Sequence, residues 1–265
     1  MSNRAELSVG TALQEGWRAF RLAPWAFVGF VLISSLLAQL SNLIPLVGAV
    51  MAALVNLWGG VGLIRGSWIA LGGSSPRFED FTRVDGAAMW RLFSRQLVLG
   101  LLLLPIALLV VLVALHAADA WTVFGPLMNL ALTVDPSDPQ LADAGSRAAL
   151  ELALNFSRSP LAWLTVAIGL LFATYFQVNQ SFLGFLALLD DLNAIATIQR
   201  GITVVQSQWW QVLSLLILQV LILLLGFLVC VVGLVAAALV CICITGAAYR
   251  QLFGQEDKTG LISTP

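Results

Sequence analysis

Apolar residues run without a charge from Gln211 to Tyr249, and the run closes on Arg250. At about 1.5 Å of rise per helical residue, such a run of about forty residues is about 60 Å long, twice the ~30 Å hydrocarbon core of a bilayer. It must therefore fold back, near Cys230–Gly233, into two spans at about Gln211–Val229 and Val231–Tyr249. The same pattern occurs 185 positions earlier without a gap: Gln14, Gly16, Trp25, Leu36, Leu43, Val47, Gly48, Val50, Ala52–Val55 and Arg65 match Gln199, Gly201, Trp210, Leu221, Leu228, Val232, Gly233, Val235, Ala237–Val240 and Arg250.

The rest of the chain completes this plan. Ser8–Leu22 reads as an amphipathic helix with Val9, Leu13, Trp17 and Phe20 on one stripe, lying at the membrane interface with Trp17 and Trp25 at headgroup depth. Pro24 opens a first span to about Leu40, Ser41, Asn42 and Pro45 supply a turn, and a second span runs from about Leu46 to Ala70. A polar, Arg-rich segment from Gly72 to Arg95 precedes a third span at about Gln96–Leu115. The acidic segment Ala117–Ser159 carries Asp119, Asp135, Asp138, Asp143 and Glu151, with a surface helix expected over Leu141–Phe156. Pro160 opens a fourth apolar run that continues to Leu189, too long for an untilted span. Asn193–Trp210 is the second amphipathic helix, and the tail from Gln255 reads as disordered.

Composition agrees with this pattern. Of the 265 residues 60% are hydrophobic and 10% charged, and the mean hydropathy is +0.94. Soluble domains carry about 25% charged residues, so this chain cannot solvate a globular surface. The reading is an all-α polytopic integral membrane protein of about six spans forming a single membrane domain. Within it, repeat 1 covers about 8–71, linking spans cover about 96–189, and repeat 2 covers about 193–252. A net charge of −1 argues against a nucleic-acid partner. All three cysteines lie in the last apolar run, where they act as small packing residues and not as a disulfide framework.

Lys and Arg fix an expected orientation. Arg4, Arg18, Arg21, Arg65, Arg77, Arg83, Arg91, Arg95, Arg200, Arg250 and Lys258 fall on one side of a six-span chain, against Arg147 and Arg158 on the other. Both termini are then cytoplasmic, and the two copies, an even number of spans apart, run parallel.

Candidate chemistry is sparse. The single histidine, His116, stands three residues before Asp119, with no second histidine or carboxylate cluster to complete a catalytic or metal site. Gln177, Asn179, Gln180 and Ser181 form a polar cluster inside the fourth apolar run. Such residues line a substrate path or hydrogen-bond between helices, here to Gln219, Asn56, Gln39 or Gln96. Asp190 and Arg200 stand at the boundary before the second amphipathic helix and are candidate docking residues. Ala52, Asn56, Gly59, Gly62 and Gly66 form a small-residue face, which packs against the same chain or against a second copy.

The passage from Phe182 through Asp190 and Arg200 to Gly201, followed by a Trp-rich entry into a long hairpin, resembles a six-span membrane domain. That domain is found fused to bacterial glycerophosphoryl diester phosphodiesterases and in related stand-alone prokaryotic membrane proteins. Asp190 and Arg200 match the pattern, while Thr197 and Gly201 stand where Ala and Ser are usual. The resemblance implies a six-span fold in a bacterial cell membrane or internal membrane. The catalytic barrel of the fused enzymes takes about 250 further residues, so none of its catalytic residues carries over. The resulting expectation is a non-catalytic module, without cofactor, that binds membrane lipid, a second copy or another membrane protein. The alternative is a transporter or channel lined by Gln177 and Gln180.

Overall fold

The computed structural model describes residues 6–44, 47–133 and 139–262. Arg4, Pro45, Leu46, Asp135 and Asp138 lie outside the described residues, as does the side chain of Cys230. The described chain is helical: α1 (Val9–Leu22), α2 (Pro24–Asn42), α3 (Gly48–Leu71), α4 (Phe78–Thr82), α5 (Gly86–Ala117), α6 (Ala120–Thr133), α7 (Pro139–Arg158), α8 (Pro160–Asn179), α9 (Leu183–Leu189), α10 (Ala194–Gln206), α11 (Trp209–Leu228) and α12 (Cys230–Phe253). Six segments are long and apolar enough to cross a membrane: α2, α3, α5, α8 together with α9, α11 and α12. The chain is an all-helical, multi-pass membrane protein. Leu101, Leu109, Leu171, Leu225 and Val232 are exposed on these spans, as lipid contact requires.

Two compact units form, one from Met1–Leu99 with Gln177–Pro265 and one from Gly100–Phe176. In the first unit, α1 and α10 begin 185 residues apart, and so do α2 and α11. Their caps correspond as well. Ser8 accepts from the Thr11 amide at 3.4 Å and Asn193 from the Ala196 amide at 2.8 Å, each satisfying an orphan N–H of its helix.

Each hairpin is closed by a glycine at the same place. A Cβ on Gly48 would lie 2.3 Å from the Ser41 carbonyl oxygen, and one on Gly233 would lie 2.5 Å from that of Gly226. Only glycine permits so tight an approach of backbone to backbone. Helix α1 buries Ala12, Gly16, Ala19 and Phe20, and Gly16 rests on the backbone of Ile244 in α12. Phe27 and Phe30 of α2 meet Phe81 of α4 at ring separations of 4.9 and 5.4 Å.

Helix α5 begins at Gly86, ahead of the span expected from about Gln96, and there the Asp85 carboxylate accepts from the Ala88 amide at 2.9 Å. Two expectations are corrected in this unit. The fourth apolar run is not one helix: it breaks at 180–182, and α9 restarts with Leu183, Phe185, Leu186, Ala187, Leu188 and Leu189 all buried. The tail is not free. Leu261 is 1% exposed, and Gly254 and Gly260 take positive φ angles of 101° and 69° that turn the chain back onto the helices.

In the second unit, Gly169 of α8 admits Val110 of α5, and the Ser159 hydroxyl donates to the Ala117 carbonyl at 2.7 Å. The acidic segment holds a helix beyond the one expected. Helix α6 pairs with α7 around a cleft of about 440 Å³, with Thr122, Pro126 and Leu130 facing Asp143, Arg147 and Glu151.

Candidate functional site

The buried charged side chains of the first unit gather where α3, α9 and α12 end and α10 begins. Asp190 ends α9 in an extended conformation and is 4% exposed. One carboxylate oxygen pairs with the Arg200 guanidinium of α10 at 2.6 Å, and the other accepts from the Lys258 ammonium of the tail at 3.2 Å. A buried carboxylate is costly unless paired, and here two cations from separate segments share it. The tail strengthens the junction with backbone groups. The Lys258 amide donates to the Leu189 carbonyl at 3.0 Å, and the Thr259 hydroxyl donates to the Leu188 carbonyl. Asp257 shapes the turn by accepting from the Thr259 and Ile262 amides.

A second ionic junction sits on Arg65, which is 2% exposed. Its guanidinium donates to the carbonyls of Leu261 at 3.2 Å, Arg83 at 2.9 Å and Asp80 at 3.4 Å, and it lies 3.6 Å from the Asp85 carboxylate. Arginine suits this place because its planar fork carries several donors to fixed acceptors while keeping its charge. The tail is thus fastened at Asp190 and again at Arg65. Arg250, 185 positions after Arg65, donates to the Leu71 carbonyl at the end of α3 and stacks over Trp68 at 5.8 Å. A cation there also complements the negative end of the α3 dipole. Arg95 donates in turn to the Leu192 carbonyl beside Asp190.

Compared with protein-family models, curated proteins and solved structures, the chain matches none of them. The functional reading therefore rests on the site itself.

Of the residues singled out from the sequence, Asp190 and Arg200 are brought together in a direct ion pair. The polar cluster falls at the break between α8 and α9. Asn179 is fully buried, Gln180 donates to the Ile198 carbonyl of α10 at 3.3 Å, Ser181 donates to the Val178 carbonyl at 2.9 Å, and Gln177 is exposed. Gln219, one partner expected for that cluster, is used elsewhere: it donates to the Thr245 hydroxyl at 2.9 Å and the Cys241 carbonyl at 3.3 Å.

The small-residue face is occupied from within the chain. Ala52, Gly59, Gly62 and Gly66 are buried, Asn56 is exposed, and Gly62 and Gly66 form the notch that receives Phe81. That notch is closed to a second copy. Cys241 and Cys243 are buried free thiols. His116 and Asp119 form a turn, the Asp119 amide donating to the His116 carbonyl at 3.1 Å with Asp119 at φ 50°.

Sequence reasoning missed Asp257, Lys258, Thr259 and Leu261. The visible signal was Asp257 two positions before Thr259, an Asx-turn spacing, between two glycines.

Proposed function

We propose that this chain is a non-catalytic module of a bacterial membrane that docks lipid or a partner at its charged end. Two copies of an interfacial helix with a spanning hairpin, running parallel, build that end, and the bias of Lys and Arg places it on the cytoplasmic side. The observation that carries the reading is the division of labour among the charges. Arg65, Arg95, Asp190, Arg200 and Lys258 are engaged in holding the tail and the helix ends together. The exposed face of α1, by contrast, presents Glu15, Trp17, Arg18 and Arg21 outward, with Trp25 next to it 84% exposed. Exposed Trp and Arg on an amphipathic helix suit headgroup contact.

Purification of the full chain in mild detergent tests this reading. Co-isolation of lipid, a defined oligomer or a membrane-protein partner is the expected result. Recovery solely as a bare monomer would overturn it.

A further inference from the structure

Between α1, the end of α3 and the exit of α12 lies a cleft of about 270 Å³, lined by Glu15, Arg18, Gly72, Gly73, Arg250 and Gln255. Its floor is low because Gly72 and Gly73 carry no side chains, and nothing stands within 4 Å of where a Cβ on Gly73 would be. Arg250 uses part of its guanidinium on the Leu71 carbonyl, and no other described residue accepts from the remainder. The side chains of Glu15 and Arg18 have neither an ion-pair nor a hydrogen-bond partner among the described residues. Three charged groups therefore border one cleft with donors and acceptors to spare.

The balance of charge identifies the ligand class. Two guanidinium groups suit a phosphate diester. Glu15 and the negative end of the α3 dipole oppose a purely anionic occupant and favour a cation beside it. The cleft lies where α1 joins the first span and where α3 and α12 end, and Trp17 of α1 and Trp25 in the first turn of α2 are exposed. That is headgroup depth. We infer that the cleft binds the zwitterionic headgroup of an aminophospholipid, with the phosphate on Arg18 and Arg250 and the primary ammonium on Glu15. A phosphoglycerol headgroup leaves Glu15 without a cation. A phosphocholine headgroup has no N–H to donate. The inference rests on the lipid-docking reading above and specifies its ligand.

Native mass spectrometry of the full chain in detergent, titrated with dioleoyl phosphatidylethanolamine, phosphatidylglycerol and phosphatidylcholine, tests it. The parent should retain phosphatidylethanolamine about three- to tenfold more than the other two, the scale of one ordinary hydrogen bond or solvent-exposed ion pair. Glu15→Gln should erase that preference, and Arg18→Gln should weaken phosphatidylethanolamine and phosphatidylglycerol together. Both residues are exposed, so these variants fold, whereas Arg250 also caps α3 and is left intact. Equal or tighter binding of phosphatidylglycerol by the parent overturns the inference, as does a preference that neither variant moves. Lipid retained without headgroup preference sinks this inference alone. A bare monomer without lipid sinks the docking reading as well.

Discussion

Lys258 reaches back 68 positions to place its ammonium 3.2 Å from Asp190, and the tail it belongs to is thereby fastened to the end of α9. Asp190 is buried, while the Lys258 and Arg200 side chains are 45% and 35% exposed, so the carboxylate is the member with no alternative solvent. Removing one partner of a fully buried pair costs ~3–5 kcal/mol, and partly solvated cations reduce the loss to about 2 kcal/mol. Asp190→Asn should lower the melting temperature in detergent and open the tail to protease between α12 and Leu261. Asp191→Asn, at the exposed neighbour, should change neither. Equal melting of the two variants, with the tail equally resistant, would remove the junction from the account.

Gly48 and Gly233 provide a second test, because each closes its hairpin on a carbonyl oxygen seven residues earlier. A methyl group at either position must displace backbone, which costs about 1–3 kcal/mol or more. Gly48→Ala and Gly233→Ala should therefore destabilise to similar extents. Gly100 sits within α5 with nothing within 4 Å of its would-be Cβ, so Gly100→Ala should be neutral or stabilising by about 0.5–1 kcal/mol. Thermal unfolding of the three variants in one detergent checks the order. A neutral Gly48→Ala beside a damaging Gly233→Ala would argue that the two turns are not equivalent.

The spans were legible because the requirement behind them is local. A bilayer demands about twenty apolar residues per crossing, and the runs that form α2, α3, α8 and α11 declare themselves by composition, with a proline or tryptophan opening α2, α8 and α11. The direct pairing of Asp190 with Arg200 was half legible, since both residues stood out at one boundary while their contact depends on how α10 folds back. The tail was not legible. Its anchors are single polar groups whose partners are backbone carbonyls at Leu188, Leu189 and a guanidinium at Arg65, and no periodic pattern marks such contacts. The break at 180–182 was hidden for a related reason. Apolar residues resume after Asn179, Gln180 and Ser181 and continue through Leu189, so those polar residues read as a cluster within one helix. The interruption is completed by packing of α9 and the Gln180 contact with α10.

Gln219 and Thr245 join the two arms of the last hairpin through a 2.9 Å side-chain hydrogen bond. Inside a bilayer such bonds couple by only ~0.6 kcal/mol on average and ~1.7 at most, because the unfolded reference also finds partners. A double-mutant cycle of Gln219→Leu and Thr245→Val should return a coupling in that range. Gln219 also donates to the Cys241 carbonyl, so the single Gln219→Leu change should cost more than Thr245→Val. A coupling indistinguishable from zero would mean that shape alone holds α11 to α12.

Arg250 donates to the carbonyl of Leu71, so the ends of α3 and α12 meet and must share one side of the membrane. The orientation proposed from the imbalance of Lys and Arg makes that side cytoplasmic, since positive residues are retained there during insertion. In a background with Cys230, Cys241 and Cys243 replaced by Ala, single cysteines at Ser74, Gln255 and Gln140 report the arrangement. Ser74 and Gln255 follow α3 and α12, whereas Gln140 lies in α7, one span away from the α3 end along the chain. A membrane-impermeant maleimide applied to sealed cells should label Gln140→Cys and spare Ser74→Cys and Gln255→Cys until the membrane is permeabilised. Labelling of Ser74→Cys and Gln255→Cys from opposite sides would contradict the shared end itself. Labelling of both from outside, with Gln140→Cys protected, would keep the fold and invert its orientation.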